Sequence, residues 1–288
     1  MSIYHLYIIL SACLWGSIGI YVRLLTGSGL TSQEIVVCRA IGASILFLTA
    51  ILFIDKNYLR VKLKHLWIFF ASGCICFVGF SYCNFVCIEL SSLGVASLLE
   101  YTAPIFVMLL SIFFLHEQLT KYKLLALATS FLGCVCITGA LEENVTVNMA
   151  VIGFGLASGI GYALYSFFCK LALNHGYHPL TVTAYNFFFC TLGSFLLTSN
   201  IAFYKLTFDG WLGLAGLVIL CSLFASLLYN KGLMGVDAGH ASILATIEPF
   251  FASMIGFLLY DETLSITKLI GMVLILGSII LLNIKRSK

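Results

Sequence analysis

Two glutamates, Glu100 and Glu248, lie inside long apolar stretches of the chain. A carboxylate at membrane depth costs about 3 kcal/mol or more unless it is protonated or paired. Both residues are therefore candidates for binding the amine of a small molecule or for carrying a proton. A structural pair with another buried group is the alternative explanation.

A proline follows each glutamate closely, and each proline predicts a break in a helix. Pro104 removes the hydrogen bond to the carbonyl of Glu100, and Pro249 removes the one to the carbonyl of Ala245. An unsatisfied carbonyl is costly in hydrocarbon, so each break should line a wet cavity or meet a neighbouring helix. A simple kink needed for packing would leave the same pattern.

Arg39 is a further charged group inside an apolar stretch. It is a candidate partner for one of the two carboxylates. Its guanidinium also matches the carboxylate of a substrate, through two parallel hydrogen bonds. Because Arg39 lies near the predicted end of its helix, its long side chain could instead reach the membrane interface.

The elements that position these residues are predicted to be membrane-spanning helices. Of the 288 residues, 61% are hydrophobic and 9% are charged, whereas a soluble domain carries roughly 25% charged residues. Too few charges remain to cover a water-exposed surface. A spanning helix needs about 20 mostly apolar residues. The apolar runs predict an all-α membrane protein with ten spans, at residues 3–22, 32–54, 66–88, 93–116, 121–141, 148–172, 179–201, 209–232, 239–260 and 265–283.

The basic residues predict the orientation of these spans, because cytoplasmic loops are enriched in Lys and Arg. With both termini in the cytoplasm, the outside loops hold only Arg23, Lys205 and Lys268. The chain is therefore predicted to be a multi-pass protein of the cell membrane with both termini inside. The net charge of +3 gives no indication of a nucleic-acid partner. The inside loops and the tail hold eleven basic residues: Lys56, Arg60, Lys62, Lys64, Lys121, Lys123, Lys170, Lys231, Lys285, Arg286 and Lys288.

An internal repeat organises the chain. Residues 94–124 match residues 239–269 without a gap, at an offset of 145, with ten identities that include a Pro, a Glu and a Lys. A weaker match at an offset of 147 pairs Arg23 with Lys170, Trp15 with Tyr162 and Arg39 with Asn186. Residues 1–141 and 148–284 thus form two five-helix repeats. An odd number of crossings in each makes them inverted, an arrangement typical of secondary transporters.

The segments GVASLLEYTAPIFVMLLSIFFLHEQLT and GHASILATIEPFFASMIGFLLYDETLS, together with LSACLWGSIG in the first helix, resemble the EamA-type branch of the drug/metabolite transporter superfamily. The resemblance covers nearly the whole chain. It implies ten helices around a central cavity that opens alternately to the two sides, lined largely by helices 3, 4, 8 and 9. Similar members mostly export amino acids or related metabolites, and others move nucleotide sugars, sugar phosphates, cofactors or drugs.

Further polar residues lie on the helices that the resemblance assigns to the cavity. They are candidates for binding the substrate, although Tyr82 and Tyr229 would also suit the aromatic belt at the membrane interface. This group consists of Tyr82, Asn84, Tyr101, Tyr229 and Asn230.

Glu117 and Glu262 end helices 4 and 9 on opposite sides of the membrane, and each is followed six residues later by a lysine. They are candidate rim residues of a gate, since their symmetric placement suits a contact that forms on one side at a time. A solvated charge at a helix end is the alternative.

These observations predict a secondary transporter for a small polar metabolite, similar to an amino acid exporter. Transport of a nucleotide-like or cofactor-like solute or a drug is the alternative, and a membrane-embedded lipid-modifying enzyme is a more distant one. No G-x4-G-K-[ST] motif occurs, so a gradient would supply the energy, with protons as the candidate coupling ion. We expect no enzymatic activity and no cofactor. The eleven cysteines suit apolar packing, and we expect no metal site.

Overall fold

The computed structural model describes residues 2–140, 148–198 and 201–283, and every regular element within them is a helix. The long helical segments are numbered α1 to α10 in chain order. Two short 3-10 helices, Lys56–Leu59 and Ala202–Lys205, lie in connections. The bounds are α1 Ile3–Gly27, α2 Ser32–Ile54, α3 Leu63–Leu90, α4 Leu93–Leu115, α5 Lys121–Ile137, α6 Met149–Asn174, α7 Pro179–Ser194, α8 Phe208–Leu233, α9 Ala238–Tyr260 and α10 Ile266–Asn283.

Eight of these segments are long and apolar enough to cross a membrane, counted over the described residues. The other two are shorter, with 17 residues in α5 and 16 in α7. The prediction of an all-helical, multi-pass membrane protein is confirmed in this form.

Three predicted spans end four or more residues away from the ends of the observed helices, and one of them is α5, which ends at Ile137 instead of residue 141. α1 continues to Gly27 instead of ending at residue 22, because Arg23 stays within the helix and its side chain reaches Glu262. α7 ends at Ser194 instead of residue 201, and a turn with short-range hydrogen bonds follows it. The basic tail that contributed to the predicted orientation lies outside the described residues.

Helices α4 and α9 are each interrupted near the middle. α4 consists of α4a, Leu93–Glu100, and α4b, Ala103–Leu115. α9 consists of α9a, Ala238–Ala245, and α9b, Glu248–Tyr260. The bounds of the second pair equal those of the first moved by 145 residues. The sequence repeat is therefore also a repeat of helix starts, breaks and ends.

The ends of α4b and α9b repeat the same backbone geometry. His116 and Asp261 both adopt the left-handed conformation, with φ of 55° and 52°. The next amide then turns back onto the helix: Glu117 N donates to Ser111 O at 3.0 Å, and Glu262 N donates to Gly256 O at 3.2 Å. This bond, from residue i to residue i−6, satisfies a carbonyl of the last turn.

Helices α3 and α8 share a second irregularity. Each contains a stretch of π-helix, Ala71–Phe77 in α3 and Leu217–Phe224 in α8. Such stretches occur frequently at functional sites. α3 begins with 3-10 residues Leu63–His65 and the short α-helix Leu66–Phe70.

The first helix of each repeat packs against the broken helix of the other, α1 against α9 and α6 against α4. Glycine permits both contacts. A Cβ on Gly16 would lie 2.9 Å from the carbonyl oxygen of Glu248, and one on Gly159 would lie 2.6 Å from Thr102 Oγ1. Small residues allow helices to approach this closely within a membrane.

Candidate functional site

The two helix breaks meet at a small pocket of about 20 Å³, which we call the central pocket. Its volume is enough for about one water-sized group. Three helices line it: α4 contributes Glu100, Tyr101, Ala103 and Pro104, α9 contributes Ser242, Ala245, Thr246 and Glu248, and α6 contributes Tyr162. The structure thus brings together Glu100, Tyr101, Pro104 and Glu248 of the residues singled out in the sequence.

The carboxylates of the central pocket do not follow the repeat. At the offset of 145, Glu100 corresponds to Ala245, and Glu248 corresponds to Ala103. All four residues line the pocket. Each repeat therefore supplies one glutamate and one alanine, at opposite positions around its break.

Two larger pockets share residues with the central pocket. One, of about 220 Å³, contains Glu100 together with Arg39 and Asn84, and we call it the Arg39 pocket. The other, of about 330 Å³, contains Tyr101 together with Glu262, and we call it the Glu262 pocket. Glu100 therefore borders both the central pocket and the Arg39 pocket, and Tyr101 borders both the central pocket and the Glu262 pocket.

Glu100 is held by a hydrogen bond from a neighbouring helix. Asn84 of α3 donates from Nδ2 to Glu100 Oε2 at 2.5 Å. A neutral amide satisfies one oxygen of the carboxylate without cancelling its charge. Glu100 and Glu248 are both half-buried, so the central pocket carries the chemistry of two carboxylates in a confined space.

Arg39 contacts α8. Its Nε donates to Ser222 Oγ at 2.8 Å, and its Nη2 donates to the carbonyl oxygen of Cys221 at 3.4 Å. Asn186, which corresponds to Arg39 in the repeat, accepts a hydrogen bond from Ser72 of α3. Arg39 and Glu100 both line the Arg39 pocket.

Three other candidate residues lie apart from the central pocket. Tyr82 is 45% exposed, whereas Asn84 lines the Arg39 pocket, because residues two positions apart point to nearly opposite sides of a helix. Tyr229 is 1% exposed and its hydroxyl shares a hydrogen bond of 2.6 Å with Ser166. Asn230 donates to Thr183 Oγ1 at 3.0 Å. Tyr82 suits the interfacial belt. Tyr229 joins α8 to α6, and Asn230 joins α8 to α7.

Glu117 joins two helices at one end of the bundle, which we call the Glu117 end. Its Oε1 accepts the backbone N–H of Ala238 at 2.6 Å, and its Oε2 accepts that of Gly239 at 3.2 Å. These amides begin α9a, and the first amides of a helix have no partner within it. The carboxylate therefore joins the end of α4b to the start of α9a, where negative charge is favoured.

Two lysines strengthen the Glu117 end. Lys123 Nζ forms an ion pair with Asp237 Oδ2 at 2.8 Å. Lys170 Nζ donates to the carbonyl oxygens of Leu233 at 2.5 Å and Val236 at 2.9 Å. Although burial of Asp237 acts to raise its pKa, the hydrogen bond from Lys123 and the nearby charges of Lys123, Lys170 and His240 together outweigh it and hold the pKa below the usual 3.8.

The opposite end, which we call the Glu262 end, is open. Glu262 does not meet the start of α4a as Glu117 meets the start of α9a. Instead Arg23 Nη2 donates to its Oε1 at 2.6 Å, and the Arg23 guanidinium carbon lies 3.8 Å above the ring of Tyr260. Between Glu262 and Gly94 lies the Glu262 pocket.

Several residues of the site were not identified from the sequence. Ser242 and Thr246 line the central pocket beside Glu248. Tyr162 is the aromatic residue that matches Trp15 in the weaker repeat, and this match was the available signal. The described residues contain no group of three or more His, Cys, Asp or Glu side chains suited to a metal ion.

Comparisons with known proteins give a consistent result. The sequence profile of the EamA-like transporter family matches residues 2–139 and 149–284. One similar protein, named an uncharacterized transporter from Archaeoglobus fulgidus, is 30% identical over 194 residues, which cover 67% of this chain and 68% of that protein. A second from that organism, with the same name, is 28% identical and covers 96% and 97%. The uncharacterized transporter YoaV of Bacillus subtilis is 26% identical, covering 82% and 81%.

One solved crystal structure has a similar fold. It superposes with a TM-score of 0.77 at 17% sequence identity, covering 96% of this chain and 95% of that one. At this identity the likeness concerns the fold alone.

Proposed function

The chain belongs to the EamA-like transporter family, and we propose that it is a secondary transporter that moves a small polar metabolite by alternating access. The resemblance noted in the sequence is confirmed by this membership. Its relatives are named as transporters and not as enzymes, which supports a transport function without enzymatic activity.

In this proposal all ten helices cross the cell membrane, in two inverted halves with both termini in the cytoplasm. The 17 residues of α5 give a helix of about 26 Å, close to the hydrocarbon thickness of about 30 Å. The side chains that flank α5 and α7 would make up the difference. The Glu117 end then faces the cytoplasm and the Glu262 end faces the outside.

The central pocket is the observation that carries the proposal. Two helices break there. The carbonyl ends of α4a and α9a, which favour positive charge, and the amide ends of α4b and α9b, which favour negative charge, both face it. Glu100 and Glu248 add two carboxylates. The site suits the protonated amine of a solute, or protons that are exchanged for that amine. Arg39 in the adjoining Arg39 pocket would receive the carboxylate of the same solute, so an amino acid is the proposed class of substrate.

Proton coupling through Glu100 or Glu248 is part of the proposal. A carboxylate that binds either a proton or the substrate amine would exchange one for the other as the pocket changes sides. Export of the metabolite would then be driven by protons moving inward.

Reconstitution in proteoliposomes tests this function. A panel of labelled amino acids, nucleotides and cofactors is assayed with and without a pH gradient. Glu100→Gln and Glu248→Gln keep the shape of each side chain but cannot exchange protons, so we expect them to flatten the pH dependence of transport. Glu89→Gln is the matched control, since Glu89 is exposed at the end of α3 and should leave transport unchanged.

Two results would contradict the proposal. If both glutamine variants keep the pH dependence of the unaltered protein, coupling through these carboxylates is excluded. If no solute of the panel moves while a lipid is covalently altered, the protein is a membrane-embedded enzyme and not a transporter.

A further inference from the structure

The two ends of the bundle contain the same parts in different arrangements. Glu117 and Glu262 correspond in the repeat, and so do the helix starts that face them, Ala238–Gly239 and Leu93–Gly94. At the Glu117 end the carboxylate accepts both amides of the helix start. At the Glu262 end, Leu93, Gly94 and Glu262 line one open pocket.

We infer that Glu117 and Glu262 are a pair of alternating latches, and that the structure is the state with the Glu117 latch closed and the Glu262 latch open. In the other state Glu262 accepts the backbone N–H groups of Leu93 and Gly94, and Glu117 leaves Ala238 and Gly239. This inference rests on the proposed function and assigns its two gates.

Packing of the neighbouring helices agrees with this assignment. At the closed end α9a packs against α4b, and Met108 of α4b is 5% exposed with its Cα 3.5 Å from the position of a Cβ on Gly239. The residue that corresponds to Met108 is Ser253 of α9b, and it lines the Glu262 pocket. Met108 is thus buried at the Glu117 end, whereas the corresponding Ser253 lines an open pocket at the Glu262 end.

Arg23 holds the open latch in its present position. Its guanidinium binds Glu262, which therefore cannot reach the start of α4a without breaking an ion pair. The corresponding residue, Lys170, donates instead to the carbonyl oxygens at and just after the end of α8. We expect Arg23 to move to the carbonyls that end α3 when Glu262 closes.

One difference between the ends favours the observed state. Lys123 pairs with Asp237 beside the closed latch, whereas the residues that correspond to them are Lys268 and Ser92. Ser92 carries no charge, and its hydroxyl accepts the N–H of Val95. The Glu117 latch therefore has an ion pair that the Glu262 latch lacks, and the Glu117 end closes more stably.

Thiol modification at two corresponding positions tests the inference without knowledge of the substrate. Ser253→Cys and Met108→Cys are made separately, placed in nanodiscs where both membrane faces are accessible, and treated with a hydrophilic maleimide. The rate for the chain without an introduced cysteine is subtracted. In the otherwise unaltered protein we expect Ser253→Cys to react quickly and Met108→Cys to be protected.

The latch variants should then move the two rates in opposite directions. Glu117→Gln loses the charge and one acceptor oxygen, so we expect it to raise the Met108→Cys rate roughly tenfold and to lower the Ser253→Cys rate. Glu262→Gln also loses the ion pair with Arg23, but that pair is exposed and contributes less than the two backbone N–H bonds of a closed latch. We therefore expect it to do the reverse and slow Met108→Cys, although it lies at the other end. Glu89→Gln is the control and should change neither rate.

The outcomes separate the inference from the proposed function. If Glu117→Gln exposes Met108→Cys without protecting Ser253→Cys, or Glu262→Gln fails to slow Met108→Cys, the latches are independent and the inference is overturned. Opposite rate changes without movement of any solute support the latches but contradict transport. Transport with unchanged thiol rates leaves the function standing and overturns the latches. Glu117→Asp, whose shorter side chain cannot span the same gap, is the second variant if the glutamine protein is not monodisperse.

Discussion

Replacement of Gly159 by alanine tests whether α6 lies against the break in α4 within the membrane. An added Cβ would lie 2.6 Å from Thr102 Oγ1, 3.1 Å from the carbonyl oxygen of Leu99 and 3.3 Å from that of Glu100. Contacts under 3.0 Å force a shift, and two of these three neighbours are backbone atoms. Overpacking of this kind typically costs about 1–3 kcal/mol.

The matched control is Gly153→Ala on the same helix. No atom lies within 4 Å of a Cβ at Gly153, so this change should add the helix propensity of alanine, about 0.5–1 kcal/mol. With about 2–4 °C per kcal/mol for a large domain, Gly159→Ala should melt roughly 2–12 °C below Gly153→Ala, and Gly153→Ala should melt slightly above the unaltered protein. Thermal unfolding in nanodiscs measures both.

Transport should separate the same two variants. The contacts of the Gly159 Cβ involve the residues that end α4a, so Glu100 would be displaced from Asn84 and the central pocket. A displacement of about 1 Å at a binding group can cost a hundredfold, and we expect uptake into proteoliposomes to fall at least tenfold for Gly159→Ala alone. A Gly159→Ala protein as stable and as active as Gly153→Ala would refute the close packing of α6 on the break.

Three further predictions concern single contacts. Arg39→Lys keeps the charge but loses the planar fork, so transport of a carboxylate-bearing solute should show a raised KM with folding unchanged by thermal melting. Tyr229→Phe removes the buried bond to Ser166 and should lower the melting temperature by about 2–6 °C, at roughly 1 kcal/mol or slightly more, with transport retained. The ion pair of Asp237 should persist at all pH values above about 3.8 and be lost only as pH falls below that. Thiol rates at Ser253→Cys should therefore respond to Asp237→Asn at pH 5 and pH 8 alike, and a response at only one of them would contradict this.

The repeat gave the most accurate predictions, because it rests on residues with strong backbone effects. Pro104 and Pro249 cannot donate a backbone hydrogen bond, and α4a and α9a end a few residues before them, at the same offset found in the sequence. The spans themselves followed from hydropathy. The end of α1 did not follow from hydropathy. The helix continues past the charged residue Arg23, whose side chain reaches Glu262.

Side-chain orientation was the part that the sequence could not supply. In a soluble helix a polar stripe identifies the exposed face, but a membrane helix is apolar on both its lipid face and its packed face. Tyr82 and Asn84 were therefore both candidates, although Tyr82 also suited the interfacial belt, and only Asn84 lines the Arg39 pocket. Contacts between distant parts of the chain, such as Glu117 with Ala238, leave no local pattern at all.

The unequal positions of Glu100 and Glu248 have a consequence for how a duplicated protein recognises an asymmetric solute. Two identical subunits around a two-fold axis would offer any bound molecule two equivalent poses, related by half a turn. Here one half carries its carboxylate before the break and the other carries it after, with alanine at both matching places. Because the two halves are joined in one chain, the sequence of each half can change without the same change in the other. A solute with different ends can then be held in one direction only.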